Sequence, residues 1–570
     1  MNSDYDLVVI GSGVAGALVA WKLAEAGRRV LIIDAGTKRM EKADRDTFVT
    51  AFSQALQKDK TPSQPYQPRA ENAAAKVLTS PDVVDFKLIG QPGDKPYFIQ
   101  VGPDVWLTQY TRLVGGTTWS WRGNCPRFIP SDFKIQTLYQ QGVDWPIEYE
   151  QLEKWYCDAE DALGVSGNHD EWNKIAYRSR KFPMDEIVQA YGDQRLKEAL
   201  AGFSTDDVKV EVVSLPQARN SRPYRSGDDD DLRPACHGNS NCIPICPIQA
   251  KYDATVHVKK ALKLKANLIE RAIVTDLTLD ADGKVDGIGY RTWDDPKERR
   301  VKAKIVVLAA NGIESPKLLL MSNRGRGIAN SSDQVGRNLM DHLGGEGAAL
   351  MPFQVFPFRG PQSTSCIESF RDHKFRNQKC AFRLTIGNDG WGRTKHPFDT
   401  LEELTDRRLF GEDLRKELLN TVSRQLRIAY STEQLPNPNN RVMLSDQKDD
   451  FGIPRPIIEF KVDDYSRKGM EYAEQIIKNI FTAIRAPEET WEFTDLQGPR
   501  FFSGSGHIMG TCRMGKDPRD SVVDPGCRAH DHQNLFIVGS SVFPTAGTTN
   551  PTITLAALAL RAADRIQAQL

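Results

Sequence analysis

Nothing in this 570-residue chain approaches the ~20 consecutive apolar residues that a membrane-spanning helix requires. An excess of one charge is equally missing. The 75 Lys and Arg residues balance the 75 Asp and Glu, which argues against a nucleic-acid footprint or a polybasic membrane surface. Cysteine is scarce: nine residues are too few for a disulfide scaffold, and the odd count leaves at least one unpaired. No internal repeat or long low-complexity tract occurs. The first residues, Met1 to Leu7, carry no basic region, apolar core or cleavage site, so unaided export is not expected. What is present is an ordinary globular composition, 40% hydrophobic and 26% charged, in enough chain for two interleaved domains.

The first informative stretch is Leu7 to Ile10, an apolar and mostly β-branched run of the kind buried on both faces of a parallel sheet. Gly11, Gly13 and Gly16 follow in a GxGxxG pattern. A helical apolar spacing then runs from Ala17 to Ala26 and stops at Gly27, and a second strand, Val30 to Ile33, ends at Asp34. This is a complete βαβ dinucleotide fingerprint. The first glycine makes the tight turn, the second admits a pyrophosphate, and the third lets helix pack on sheet. Asp34, 18 residues beyond Gly16, is placed to accept from a ribose hydroxyl. The pattern alone does not separate FAD from NAD, but only one copy is found.

Matching blocks then run through the chain in one order. Near the C-terminus they are Gly506 to Gly515, Val522 to Asp524, Asn534 to Ser540, and Thr549 to Thr552. Internally they are Leu113 to Trp119, Val306 to Pro316, and Val335 to His342. These resemble the signatures of the glucose-methanol-choline oxidoreductases. The resemblance implies an α/β fold: a Rossmann-like FAD-binding domain with an antiparallel-sheet substrate domain. It implies FAD held by Gly11, Gly13, Gly16 and Asp34, by Gly115, Gly116, Thr117 and Thr118 of a flavin-contact loop, and by Ser540, Pro551 and Thr552. His507 is implied as the base and Asn550 as its partner.

The chemistry agrees. Removing hydride from an alcohol needs a base for the hydroxyl proton, a hydride acceptor and a donor that fixes the oxygen. Imidazole titrates near working pH, which suits His507. Asn550 precedes Pro551, a residue suited to the first turn of a helix through Thr552 to Asp564, whose positive end would face charge on a reduced flavin. The plainer reading is a satisfied core histidine and a helix cap. His342, His530 and His532 are expected to be structural, and His169, His373 and His396 to lie on surface loops.

Three cysteines, Cys236, Cys242 and Cys246, fall within eleven residues on a loop rich in Gly, Asn and Pro. Thiolates at that density select an iron-sulfur centre or zinc, for which His237 would be a fourth ligand; an inert loop is the third reading. The stretch resembles the flavoprotein subunits of bacterial membrane-associated FAD-dependent glucose, fructose, sorbitol and gluconate dehydrogenases, which implies a 3Fe-4S cluster on these three thiols. Those relatives usually have a second cysteine where His237 stands, and a histidine where Ser120 stands. By the same resemblance electrons pass to a cytochrome c subunit, and a small subunit bears an export signal. The protein would then reach the periplasmic side of the inner membrane through partners; the alternative is the cytoplasm.

The expected FAD domain is discontinuous, at 1–150, 205–345 and 500–570, with a substrate domain at 150–205 and 346–500. Strands at Arg441 to Ser445 and Ile457 to Val462 would form a sheet roofing the flavin, and a helix should span Asp464 to Ile484. The acidic run Asp228 to Asp231 reads as a solvated insertion, with a cytochrome contact as the sharper alternative. Cys125, Cys157, Cys366, Cys380, Cys512 and Cys527 read as free buried thiols. The expected activity is oxidation of a hydroxyl of a sugar, polyol or sugar acid. An oxygen-using oxidase and a non-catalytic electron-transfer scaffold are the alternatives. Arg359, Arg371 and Arg383 are candidates to meet an anionic substrate such as gluconate, with a surface or structural role as the plainer reading of each.

Overall fold

The computed structural model describes residues 3–54, 83–84, 97–108, 110–225, 232–238, 240, 242–243, 245–390, 397–449, 451–494 and 501–570. The acidic run at Asp228 to Asp231 and His396 lie outside them. The run Leu7 to Ile10 forms the strand Tyr5–Ile10, the centre of a five-stranded parallel sheet. Val30–Ile33 and Ala303–Leu308 flank it, and Asn267–Ile269 and Leu535–Ile537 form the edges. Their apolar side chains are buried because helices cover the sheet. The helix Val14–Glu25 follows the first strand and packs against Thr255–Lys263 and the C-terminal Thr552–Gln569. Gly27, at φ +77°, supplies the left-handed residue past its end.

A second sheet has six strands in the order Glu492–Phe493, Leu343–Leu350, Gln425–Thr432, Phe382–Gly387, Ser365–Ile367, Val212–Ser214, with every pair antiparallel. Period-two alternation assigns its faces. Phe382, Leu384 and Ile386 join the core beneath the helix Asp464–Ala483, while Arg383 and Thr385 face a cavity. The expected helix is therefore present, and Asp463 caps it by accepting from the Ser466 N–H at 2.8 Å.

The expected roof is corrected. Arg441–Lys448 and Pro454–Glu459 do pair as antiparallel strands, but Ile99–Gln100 joins them in a separate three-stranded sheet whose strands do not line the cavity. Alternation revealed two-faced strands there without revealing which neighbour they face. The cavity is roofed by the six-stranded sheet.

Candidate active site

A cavity of about 910 Å3 runs between the two sheets. At one end, Gly11 adopts φ +96°, and a Cβ there would lie 2.7 Å from the Ala309 carbonyl oxygen. A Cβ on Gly16 would lie 2.0 Å from the Gly11 oxygen, so the helix can start against the strand only with glycine at that position. A Cβ on Gly13, by contrast, would meet nothing within 4 Å. That free space opens at the start of Val14–Glu25, whose first turn has no side-chain cap and no acidic residue. Uncapped amides at a helix N-terminus beside open space fit a pyrophosphate.

Asp34 lines the same end. Its carboxylate accepts from Ser12 N–H at 2.7 Å, Ser12 Oγ at 2.6 Å and Gly36 N–H at 2.7 Å, and burial raises its pKa. The set fits the adenosine end of FAD. Gly116, Thr117 and Thr118 continue the wall, with Gly116 close against Gly13. Gly115 and Gly16 stay off the wall: Gly115 N–H donates to Ser12 Oγ at 3.0 Å, holding the flavin-contact loop to the phosphate loop.

At the other end His507, Asn550, Pro551 and Thr552 line the cavity together, with Ser540 nearby on the wall. Asn550 Nδ2 is 3.2 Å from His507 Nε2, and Arg383 Nη1 donates to Asn550 Oδ1. Behind His507, and off the wall, His342 Nδ1 is 2.9 Å from His507 Nδ1, while His342 Nε2 is 3.1 Å from the Gly547 carbonyl oxygen. Burial holds the His507 pKa well below the imidazole range, with His342 and Arg383 adding to the effect. His342 is lowered to about 4, again chiefly by burial. Both rings are therefore neutral at neutral pH. The helix Thr552–Gln569 starts at this point without a side-chain cap, directing its positive end to the cavity.

Two buried frameworks hold these groups. Asp341 accepts backbone N–H bonds from Ser505 at 3.1 Å, Gly506 at 3.2 Å and His507 at 3.0 Å, and takes another from Trp106 Nε1 at 3.2 Å. Burial raises its pKa to about 7 against these donors. On the opposite side Arg383 pairs with Glu368, which also pairs with Arg371 at 2.9 Å. Arg371 Nε donates to Thr548 Oγ1 at 2.8 Å, and that hydroxyl donates to Asp132 at 3.0 Å. Burial alone would raise the Glu368 pKa, but Arg383 and Arg371 together bring it below the ordinary value.

The cysteine loop abuts the cavity through Ile243, which lines its wall. Lys251 ties the loop to the flavin-contact segment. Its amine donates to the carbonyls of Trp119 at 2.9 Å, Trp121, and Cys242 at 2.9 Å, and burial lowers its pKa to about 8. Burial raises the Cys236 thiol, with Cys242 and Cys246 adding and Arg219 opposing. Among the described residues no three His, Cys, Asp or Glu side chains are disposed to hold a metal ion. The donor chemistry nonetheless suits an anionic centre, since buried Arg219, Arg233 and Lys251 supply compensating charge around three thiols. His237 is exposed.

The structure thus brings His507 and Asn550 together, across 43 residues of sequence. Of the three candidate arginines only Arg383 reaches the cavity: Arg359 is exposed, and Arg371 is committed to the framework behind it. His342, expected to be structural, lies against the proposed base, because the Met340–Met509 bridge aligns the two segments. His532 and His530 are structural as expected, the former accepting from Ala329 N–H and the latter hydrogen-bonded to Ser521. The six scattered cysteines are free and buried.

Comparison with known proteins gives the family and the fold. Family models described as GMC oxidoreductase match residues 212–344 and 436–559, and one for an NAD(P)-binding Rossmann-like domain matches residues 9–38. The chain is 38% identical to the fructose dehydrogenase large subunit of Gluconobacter japonicus, over 98% of this chain and 97% of that protein. It is 23% identical to the gluconate 2-dehydrogenase flavoprotein of Pantoea cypripedii, over 99% and 94%. Its fold resembles the crystal structure of pyridoxine 4-oxidase from Mesorbium loti, with a TM-score of 0.62, 20% identity and 98% coverage of both chains.

Proposed function

This chain belongs to the GMC oxidoreductase family, and on that premise we propose that it is an FAD-dependent dehydrogenase oxidising a hydroxyl of a sugar, polyol or sugar acid. The observation that carries the reading is His507 Nε2 and Asn550 Nδ2, 3.2 Å apart on the wall of a cavity that begins at the dinucleotide loop. Bound FAD supplies the hydride acceptor. The chain does the rest. His507 Nε2 takes the hydroxyl proton as the C–H hydride leaves, so the alcohol becomes a carbonyl. Asn550 Nδ2 donates to the same oxygen and steadies its developing charge. The uncapped start of Thr552–Gln569 turns its positive end to the cavity, where it would stabilise negative charge on a reduced flavin. The likeness to a fructose dehydrogenase subunit and a gluconate dehydrogenase flavoprotein supports the substrate class.

Cys236, Cys242 and Cys246 are the proposed ligands of a 3Fe-4S cluster, which supplies one-electron chemistry when bound. The nearness of this loop to the cavity and the buried Arg219, Arg233 and Lys251 beside the thiols support that reading. The proposed partners are a cytochrome c subunit and a small export-signal-bearing subunit, at the periplasmic side of the inner membrane. The word subunit in the fructose dehydrogenase name is the support for partners.

The test is a panel of sugars, polyols and aldonates with an artificial electron acceptor, run beside iron analysis of anaerobically purified protein. Bleaching of flavin by one of these substrates and about three irons per chain are expected. Peroxide formed as fast as dye is reduced overturns the dehydrogenase in favour of an oxidase, and absence of iron removes the cluster. His507→Ala should slow turnover ~10²–10⁴-fold with FAD retained, and unchanged turnover would refute the base.

A further inference from the structure

The ring protons of the two histidines are fixed by one atom that cannot donate. The Gly547 carbonyl only accepts, so His342 Nε2, 3.1 Å away, carries its ring proton. A neutral His342 then offers a lone pair at Nδ1. The facing atom, His507 Nδ1 at 2.9 Å, must be the one that donates. His507 Nε2 is left bare, and it faces the Asn550 amide, whose Nδ2 is held toward it because Arg383 occupies Oδ1. Every donor in the row Asn550, His507, His342, Gly547 thus meets an acceptor, and the sequence closes only with the base lone pair toward the cavity.

We propose that His342 is a positioning residue that selects the His507 tautomer, keeping Nε2 unprotonated toward substrate while taking no part in the chemistry itself. The proposal rests on His507 being the base. His342 is fully buried, does not line the cavity and touches His507 with ring planes 83° apart, so its side chain meets the site through that ring, while its backbone carbonyl accepts from Ser505 on the wall. The charged groups around the pair are Arg383, Arg371 and Asp132, with Asp341 beneath the His507 backbone. Arg383 and Arg371 disfavour a charged pair, and so does burial, which keeps both rings neutral and the tautomer argument valid. When His507 accepts the substrate proton, its Nδ1–H bond to His342 strengthens, so the same contact that selects the tautomer also serves the protonated ring.

Two substitutions separate this role from a structural one. His342→Asn can keep an oxygen acceptor where Nδ1 stood and loses the reach to Gly547. His342→Gln keeps an amide near Gly547 and removes the acceptor for His507. The proposal expects the Asn variant to stay within about threefold of wild-type kcat and the Gln variant to lose about tenfold or more, with KM unchanged and one FAD per chain in both. In a His507→Ala background the Gln substitution should add no further loss. A Gln variant as active as wild type, an Asn variant worse than Gln, an equal loss in both backgrounds, or loss of FAD in the Gln variant would each overturn it. Failure of the parent reading is seen separately, as a His507→Ala enzyme with unchanged turnover.

Discussion

Arg383 donates through Nη1 to Asn550 Oδ1 across 167 residues of sequence, and its other nitrogens engage Glu368. The carboxamide is thereby held with its donor toward His507. Arg383→Lys should retain charge against Glu368 but lose this fork. We expect kcat to fall about tenfold, the value of one charge-assisted bond. Arg383→Met should also leave buried Glu368 with Arg371 as its remaining cation, costing about 1.5–3 kcal/mol in denaturant unfolding. A Lys variant with wild-type kcat would show that Asn550 orients itself.

The pH dependence of stability follows from His342. The unfolded chain takes up a proton below the ordinary pKa of 6.5, and the folded one resists until about 4. The ring's full contribution is therefore present above pH 6.5 and is lost progressively as pH falls toward 4, on the order of 3 kcal/mol in all. The thermal midpoint of wild type should fall more steeply across that window than that of His342→Asn, whose amide does not titrate. Parallel curves would mean that the folded protein accepts the proton.

Gly13 and Gly16 should fail in different ways. Gly13→Ala has room for its methyl in the folded chain but intrudes where a pyrophosphate would lie. Flavin content should drop while the apoprotein keeps its thermal midpoint. Gly16→Ala forces the helix off the strand, which should cost about 1–3 kcal/mol with or without flavin. Full flavin occupancy in Gly13→Ala would move the phosphate site elsewhere.

Lys251 joins two loops with one amine. Lys251→Met leaves three carbonyls without their donor and should cost about 2–4 kcal/mol. Amide hydrogen exchange should then quicken in 119–121 and 242–246 together. Quickening in one loop alone would deny that they are coupled.

The parallel sheet was legible because short-range chemistry dictates it: a β-branched run, a glycine that must adopt φ +96°, and a helix starting at once. His507 and Asn550 were legible as motif residues. What surrounds them was not. Arg383 is a cation on an alternating strand, a pattern that fits surface and core alike, and only the pairing of Phe382–Gly387 with Gln425–Thr432 turns it inward. His342 meets His507 because two bridges, at Met340–Met509 and Leu343–Gly504, bring distant segments together. The separate sheet at Arg441–Lys448 was misassigned for the same reason: periodicity reports a face and leaves its neighbour open.

Val212–Ser214 completes the six-stranded sheet from a stretch of chain that soon enters the cysteine loop, and Leu343–Leu350 leaves the His342 turn to enter it again. Neither sheet is therefore a detachable module. No single cut liberates a half that keeps its own wall of the cavity, and a graft from a relative needs a junction at every crossing. New specificity in such a chain is more readily reached by point changes along Phe382–Gly387 and Gln425–Thr432 than by recombination of whole domains.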